Sequence, residues 1–193
     1  MALIVIGGHS RNIGKTSVVC GIISAMPDKC WTAIKITPHP HGETAIQSLA
    51  ITEEHDAASG TDSSRYLAAG AARSLWVRTG QGQLAEAMPR IREEIARAEN
   101  VILESNSVLD FLQPDVYASV LNPEVADFKK SALRYLDRAD ALLLPSATLD
   151  RTNWPDFSHS LIEHIPRFQI GPPAFSSPEF VYFVAEKMHK VGK

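Results

Sequence analysis

Short apolar runs alternate with amphipathic segments along most of this chain. The apolar runs are rich in β-branched residues and do not alternate with polar residues, so each predicts a strand covered on both faces. The amphipathic segments repeat their apolar positions at helical spacing, as Phe128, Ala132 and Leu136 do. Strands and helices in this order predict an α/β fold of three layers with a mainly parallel sheet.

Six apolar runs predict strands, at residues 2–6, 31–36, 74–78, 101–104, 116–121 and 141–144. Five segments predict helices, at residues 16–25, 63–69, 84–98, 127–139 and 177–190. Asp62 is expected as the N-cap of the second helix or, equally, as a site residue. Residues 37–61 are rich in Pro, His, Gly and acidic residues and predict a long loop, which in a compact domain is usually functional or disordered. No repeat or linker divides the chain, so a single domain is expected over residues 1–193.

Composition excludes several classes of partner. The net charge of −3 supplies no basic surface, so nucleic acid is not expected as the main partner. No run approaches the roughly 18 apolar residues of a membrane span, and the first apolar run leads straight into a glycine turn instead of a cleavage site. Cys20 falls in a helix pattern and Cys30 at a strand start, which favours reduced thiols and a cytoplasmic protein.

A glycine-rich turn joins the first predicted strand to the first predicted helix. Its glycines let the backbone curl so that several N–H groups face one anion, and the helix N-terminus adds its positive dipole end. Lys15 can reach terminal phosphates, and the Thr16 hydroxyl can bind Mg²⁺. The turn therefore predicts a phosphate loop for ATP or GTP. Its candidate nucleotide-binding residues are Gly8, Ser10, Arg11, Asn12, Ile13, Gly14, Lys15, Thr16 and Ser17.

The spacing of this loop resembles that of dethiobiotin synthetases and cobyrinic acid amidating enzymes. Five residues separate Gly8 from Gly14, where the strict motif has four. Members of the same broad P-loop class that dimerise around a partner's ATP carry a lysine early in the loop, where this chain has Ser10 and Arg11. A homodimer stays open.

Later segments resemble the molybdopterin-guanine dinucleotide biosynthesis adaptor family (MobB). That family has a lysine and histidines at the end of the second strand, then Asp-Ser, an arginine and Ala-Gly-Ala before the third strand. The corresponding residues here are Lys35, His39, His41, Asp62, Ser63, Arg65 and Ala69-Gly70-Ala71. The resemblance implies a P-loop NTPase fold and a partner protein in cofactor biosynthesis.

Lys35 and Glu104 are the candidate catalytic residues besides Lys15. Both are predicted at the carboxyl ends of strands, the edge where ligands bind in such sheets. A lysine there can neutralise phosphate or developing negative charge, and a carboxylate can hold Mg²⁺ or orient an attacking water. Thr16 and Glu104 are thus the candidate metal ligands. The alternatives are a solvated lysine and a capping carboxylate.

Several other polar residues are weaker candidates. Ser105 and Asn106 stand where the resembling families have a glycine after Glu104, and their side chains could hydrogen-bond a substrate. His39 and His41 could bind a metal, although a surface loop is the simpler interpretation. Turn or loop roles are expected for Glu53, Glu54, His55, Asp110, Asp115 and Asn122.

Asp150 follows the last clear strand, where a guanine-selecting aspartate can stand, but no Asn-Lys precedes it. ATP and GTP therefore stay open. The leading functional hypothesis is a Mg²⁺-dependent slow NTPase or nucleotide-dependent helper in cofactor biosynthesis. The alternatives are an ATP-dependent synthetase similar to dethiobiotin synthetase and a nucleotide-binding module without turnover.

Overall fold

The computed structural model describes residues 1–39, 49–146, 154 and 158–191. Within them eight strands form one sheet, in the order β3-β4-β2-β5-β1-β6-β7-β8. Every neighbouring pair is parallel except β3 and β4, which pair antiparallel at one edge. The strands are β1 Ala2–Gly8, β2 Trp31–His39, β3 Leu49–Glu53, β4 Arg73–Gly80, β5 Asn100–Glu104, β6 Val116–Val120, β7 Ala141–Leu144 and β8 Arg167–Gln169.

Helices lie on both faces of this sheet. They are α1 Lys15–Ala25, α2 Asp62–Ala68, α3 Leu84–Ala96, α4 Lys130–Leu133 and α5 Pro178–Val191. Short 3₁₀ turns lie at Pro27–Lys29, Ser107–Asp110, Leu136–Arg138 and His159–Leu161. No helix in the described part of the chain is both long enough and apolar enough to cross a bilayer.

Successive residues of the central strand β1 pack into two separate hydrophobic cores. Ile4 and Ile6 pack with α1, α2 and α5, whereas Leu3 and Val5 pack with α3 on the opposite face. Each strand residue is therefore buried whichever way it points, which is why the strands are continuous apolar runs. The predicted α/β fold with three layers and a mainly parallel sheet is confirmed.

The predicted loop over residues 37–61 is wrong in two places. Strand β2 continues to His39, and Leu49–Glu53 forms the antiparallel edge strand β3. This edge strand is short and only half-buried, so its sequence lacks the continuous apolar run of the central strands. Strand β8 was also missed because it has only three residues, two of them exposed.

The predicted helix over residues 127–139 is replaced by the four-residue helix α4 and a 3₁₀ turn. Asp127 and Lys129 lie outside the helix because both bond to the turn after β1. The predicted N-cap of the second helix is wrong by one residue. Thr61 Oγ1 accepts the Ser64 N–H at 3.0 Å, whereas the Asp62 carboxylate pairs with Lys35.

Candidate functional site

The turn between β1 and α1 begins with two glycines in tight surroundings. A Cβ on Gly7 would lie 2.3 Å from Asn106 Oδ1, and one on Gly8 would lie 2.9 Å from Ile13 and Lys15 side-chain atoms. The Asn106 amide also accepts the Gly8 N–H and donates to the Gly8 carbonyl, both at 2.8 Å. Asn106 therefore fixes the loop, and the expected hydrogen bond from its side chain to a substrate is not available in this arrangement.

The rest of the turn is curled and anchored in the core. Asn12 and Gly14 have φ angles of 55° and 97°, in the left-handed region that a curled backbone requires. The buried His9 ring packs against Phe128 and Trp154, with ring centroids 5.1 and 5.0 Å away. Burial lowers the pKa of His9, so the ring is held neutral as a packing group.

Lys15 lies at the start of α1 and folds back over the loop. Its Nζ donates to the Ser10 carbonyl at 2.5 Å. Burial lowers the pKa of Lys15 to about 8, against the opposing effect of the Glu104 charge. An ammonium bonded to a backbone carbonyl in this position is available to an incoming phosphate.

Thr16, Lys35 and Glu104 meet at the carboxyl end of the sheet. Lys35 and Glu104 are register partners in the parallel strands β2 and β5. Thr16 Oγ1 donates to Glu104 Oε2 at 2.8 Å, and Lys35 Nζ donates to Glu104 Oε1 at 3.1 Å. These three side chains, which were predicted to serve metal binding or catalysis in addition to Lys15, therefore form one hydrogen-bonded group.

Two residues of α2 complete this group. Asp62 pairs with Lys35, and the buried Tyr66 hydroxyl donates to Glu104 Oε2 at 2.5 Å. Burial and the Glu104 charge raise the pKa of Tyr66 well above its usual value. Burial opposes ionisation of Asp62, but its bond to Lys35 prevails and lowers its pKa. Tyr66 was missed because it has the apolar helix position of a core residue.

The remaining loop candidates are held by hydrogen bonds of their own. Arg65 donates to the Ser17 hydroxyl at 2.9 Å, and the Ser10 hydroxyl donates to Asp127 at 2.8 Å. Ser17 is thereby connected to α2, and Ser10 to the segment before α4. Arg11 lies in the turn between β1 and α1 and is exposed.

The weaker candidates have structural roles where they are described. Asp115 accepts the Leu3 N–H at 2.7 Å, and Asn122 accepts the Glu124 N–H at 3.0 Å. The backbone N–H of Asp56, followed by the hydroxyls of Thr61 and Ser59, lowers the pKa of Glu54 to about 2.

Salt bridges hold two further members of this set: Glu53 with Arg73 at 2.8 Å and Asp110 with Arg134 at 3.1 Å. The backbone of His39 ends β2, whereas His41 and Asp150 lie outside the described residues.

A metal ion has one suitable pair of oxygen ligands here. Among the described residues, no cluster of three His, Cys, Asp or Glu side chains could hold a metal. The Thr16 hydroxyl and the Glu104 carboxylate are hard oxygen donors in direct contact. Mg²⁺ commonly takes one or two protein oxygens and completes its shell with phosphate and water, so this pair fits it.

No family model matches the chain, and no curated protein matches its sequence. Two similar solved structures are LpxK from Aquifex aeolicus in complex with ATP and HypB from Helicobacter pylori in complex with nickel. LpxK has a TM-score of 0.52 and 18% identity over 88% of this chain. HypB has a TM-score of 0.51 and 15% identity over 97% of this chain and 87% of its own.

This chain spans 53% of the LpxK chain, about half its length. At these identities the similarity shows the fold alone, an α/β fold with a mainly parallel sheet.

Proposed function

We propose that this protein binds Mg²⁺-ATP or Mg²⁺-GTP at the turn between β1 and α1 and hydrolyses it slowly. The observation that carries the proposal is the direct contact of the Thr16 hydroxyl with the Glu104 carboxylate at 2.8 Å. It brings two magnesium-type ligands together beside Lys15, at the start of a helix that follows a curled loop. The fold supports nucleotide binding, and this geometry supports the metal.

Each polar side chain has a separate task in this proposal. Lys15 leaves the Ser10 carbonyl and binds the terminal phosphates, while Thr16 and Glu104 hold Mg²⁺, which would neutralise charge on the phosphate oxygens. Lys35 balances the Glu104 carboxylate. Hydrolysis is slow because Glu104 already accepts hydrogen bonds from Thr16, Lys35 and Tyr66, and must release one to orient water.

The biological context we propose is that of a nucleotide-dependent helper in cofactor biosynthesis. Its support is the sequence resemblance to the molybdopterin-guanine dinucleotide adaptor at Lys35, Asp62 and Arg65. In the structure Lys35 and Asp62 pair with each other, and Arg65 reaches Ser17. These residues thus connect the phosphate loop with α2, which a helper could use to sense bound nucleotide.

Calorimetric titration of the purified protein with ATP and GTP, with and without Mg²⁺, tests the proposal, together with a phosphate-release assay. We expect Mg²⁺-dependent binding of at least one nucleotide and slow release of phosphate. Binding without phosphate release would favour a module without turnover, and release only with an added carboxylate acceptor would favour a synthetase. Absence of binding to either nucleotide would overturn the proposal.

A further inference from the structure

The segment between β6 and α4, residues 121–129, is fastened to the phosphate loop. Ser10 Oγ donates to Asp127 Oδ2 at 2.8 Å, and the Lys129 N–H donates to the His9 carbonyl at 2.8 Å. His9 Nε2 also donates to the Val125 carbonyl at 3.2 Å. Three contacts to two consecutive loop residues place Lys129 beside the loop.

Lys129 is half-buried among other positive charges. Burial lowers its pKa, and the neighbouring Arg11 lowers it further, while Asp127 and Glu104 act in the opposite direction. The Lys129 charge in turn contributes to the lowered pKa of Lys15. This effect and the backbone hydrogen bond of Lys129 to His9 together indicate that the Lys129 charge lies close enough to the loop to act on Lys15.

No carboxylate in the described ranges forms an ion pair with Lys129, in contrast to Lys35, which has two. A half-buried cation near other cations is unfavourable in the free protein because desolvation and like charge both oppose its charged form. Such a cation is compensated when a multiply charged anion enters. The terminal phosphate of a nucleoside triphosphate, bound to Lys15, is an anion of that kind.

We propose that Lys129 is a phosphate-binding residue that contacts the terminal phosphate and so distinguishes triphosphate from diphosphate. This inference rests on the proposed function, since it assumes that nucleotide binds at the loop. It adds a ligand that lies more than 110 positions from Lys15 in sequence and that no part of the phosphate-loop motif contains. Asp127 and Ser10 act as positioning residues that hold the segment in place.

The test compares Lys129→Gln with Lys130→Gln, a neighbouring lysine that is exposed at the start of α4. Dissociation constants for the Mg²⁺ complexes of the triphosphate and diphosphate of the preferred base are measured on each variant. We expect Lys129→Gln to weaken triphosphate binding about tenfold and to leave diphosphate binding within about twofold. Lys129→Arg should restore most of the difference, and Lys130→Gln should resemble the parent.

The melting temperature supplies a readout that a purely structural role would not produce. Removing an uncompensated cation should keep or raise the melting temperature of the free protein while reducing the stabilisation by triphosphate. A variant that melts lower without ligand and loses both nucleotides equally would overturn the inference, as would unchanged triphosphate affinity. If the parent binds no nucleotide, the proposed function and this inference both fail. If the parent binds nucleotide and Lys129→Gln binds the triphosphate as tightly as the parent does, this inference alone fails.

Discussion

Two lysines near the carboxyl end of the sheet have contrasting surroundings. Lys15 donates to a neutral backbone carbonyl, whereas Lys35 is paired with the carboxylates of Asp62 and Glu104. Lys15 therefore forms no ion pair within the described residues, whereas Lys35 in β2 is balanced by two carboxylates of the protein. The surroundings of Lys15 are suited to binding an external polyanion. The surroundings of Lys35 are suited to changing the charge and hydrogen bonding of the Glu104 carboxylate during a reaction. Loop substitutions should thus change affinity, and substitutions around Lys35 should change turnover.

The largest effect is expected for Lys15→Ala, which removes the loop ammonium. Charge-assisted hydrogen bonds to two phosphates disappear together, so affinity for triphosphate should fall about 100-fold. The fold should persist because Lys15 contributes no ion pair within the described residues. Calorimetric titration measures the loss, and circular dichroism checks the fold. Parent-like affinity would show that the phosphate-loop assignment is wrong.

The contrast between Lys15 and Lys35 predicts that Glu104→Gln loses turnover instead of nucleotide affinity. The amide keeps the shape of the side chain but removes the charge that balances Lys35 and that would hold Mg²⁺ or orient water. Turnover should fall about 100-fold with a much smaller change in nucleotide affinity. The measurement is kcat beside the melting temperature of the same variant.

Tyr66→Phe is the matched control for Glu104→Gln. It removes one hydrogen bond to the same carboxylate while leaving its charge and its Lys35 contact in place. Its turnover should stay within a few-fold of the parent. A lower melting temperature with unchanged kcat in Glu104→Gln would mean that the carboxylate is a structural cap.

Thr16 belongs to both regions, because it follows Lys15 in α1 and its hydroxyl contacts Glu104. Thr16→Ala should weaken nucleotide binding about tenfold in Mg²⁺ and leave it nearly unchanged in EDTA, since the hydroxyl is a metal ligand. Thr16→Ser keeps the hydroxyl and should bind like the parent. An equal loss in EDTA would indicate altered packing of α1 instead of a missing metal ligand.

The two regions also differ in how far the sequence revealed them. The loop was predictable because a buried strand, a glycine turn and a helix are local signals within some 20 residues. For Lys35 and Glu104 the sequence predicted only that both lie at the same edge of the sheet, not that they contact each other. The role of Tyr66 was not predictable, because its hydroxyl partner lies on a different strand.

Long-range pairing explains the other differences. Residues 127–139 have helical apolar spacing, yet β6 is the neighbour of β1, so the first residues of this segment meet the phosphate loop and bond to His9 and Ser10. The edge strand β3 likewise depends on pairing with β4, and no local sequence pattern predicts that pairing. Apolar periodicity therefore predicted the elements whose own sequence carries a burial pattern. It missed the elements whose structure depends on contacts with residues distant in sequence.

The smallest expected effect concerns pH and sharpens the contrast between the two lysines. Because burial lowers the pKa of Lys15 to about 8 in the free protein, part of the population is neutral at mildly alkaline pH. A bound phosphate favours the ammonium, so binding takes up a proton, and affinity should fall about twofold between about pH 7 and about pH 8.

Calorimetry in two buffers of different ionisation enthalpy measures that proton uptake directly. Lys15→Arg, which stays charged throughout, should bind with much less proton uptake and a flatter pH dependence. Lysine titration predicts weaker binding as pH rises, so tighter binding at the higher pH would contradict the assignment. Uptake that persists unchanged in Lys15→Arg would assign the titration to another cation near the loop, such as Lys129, whose charge lowers the pKa of Lys15.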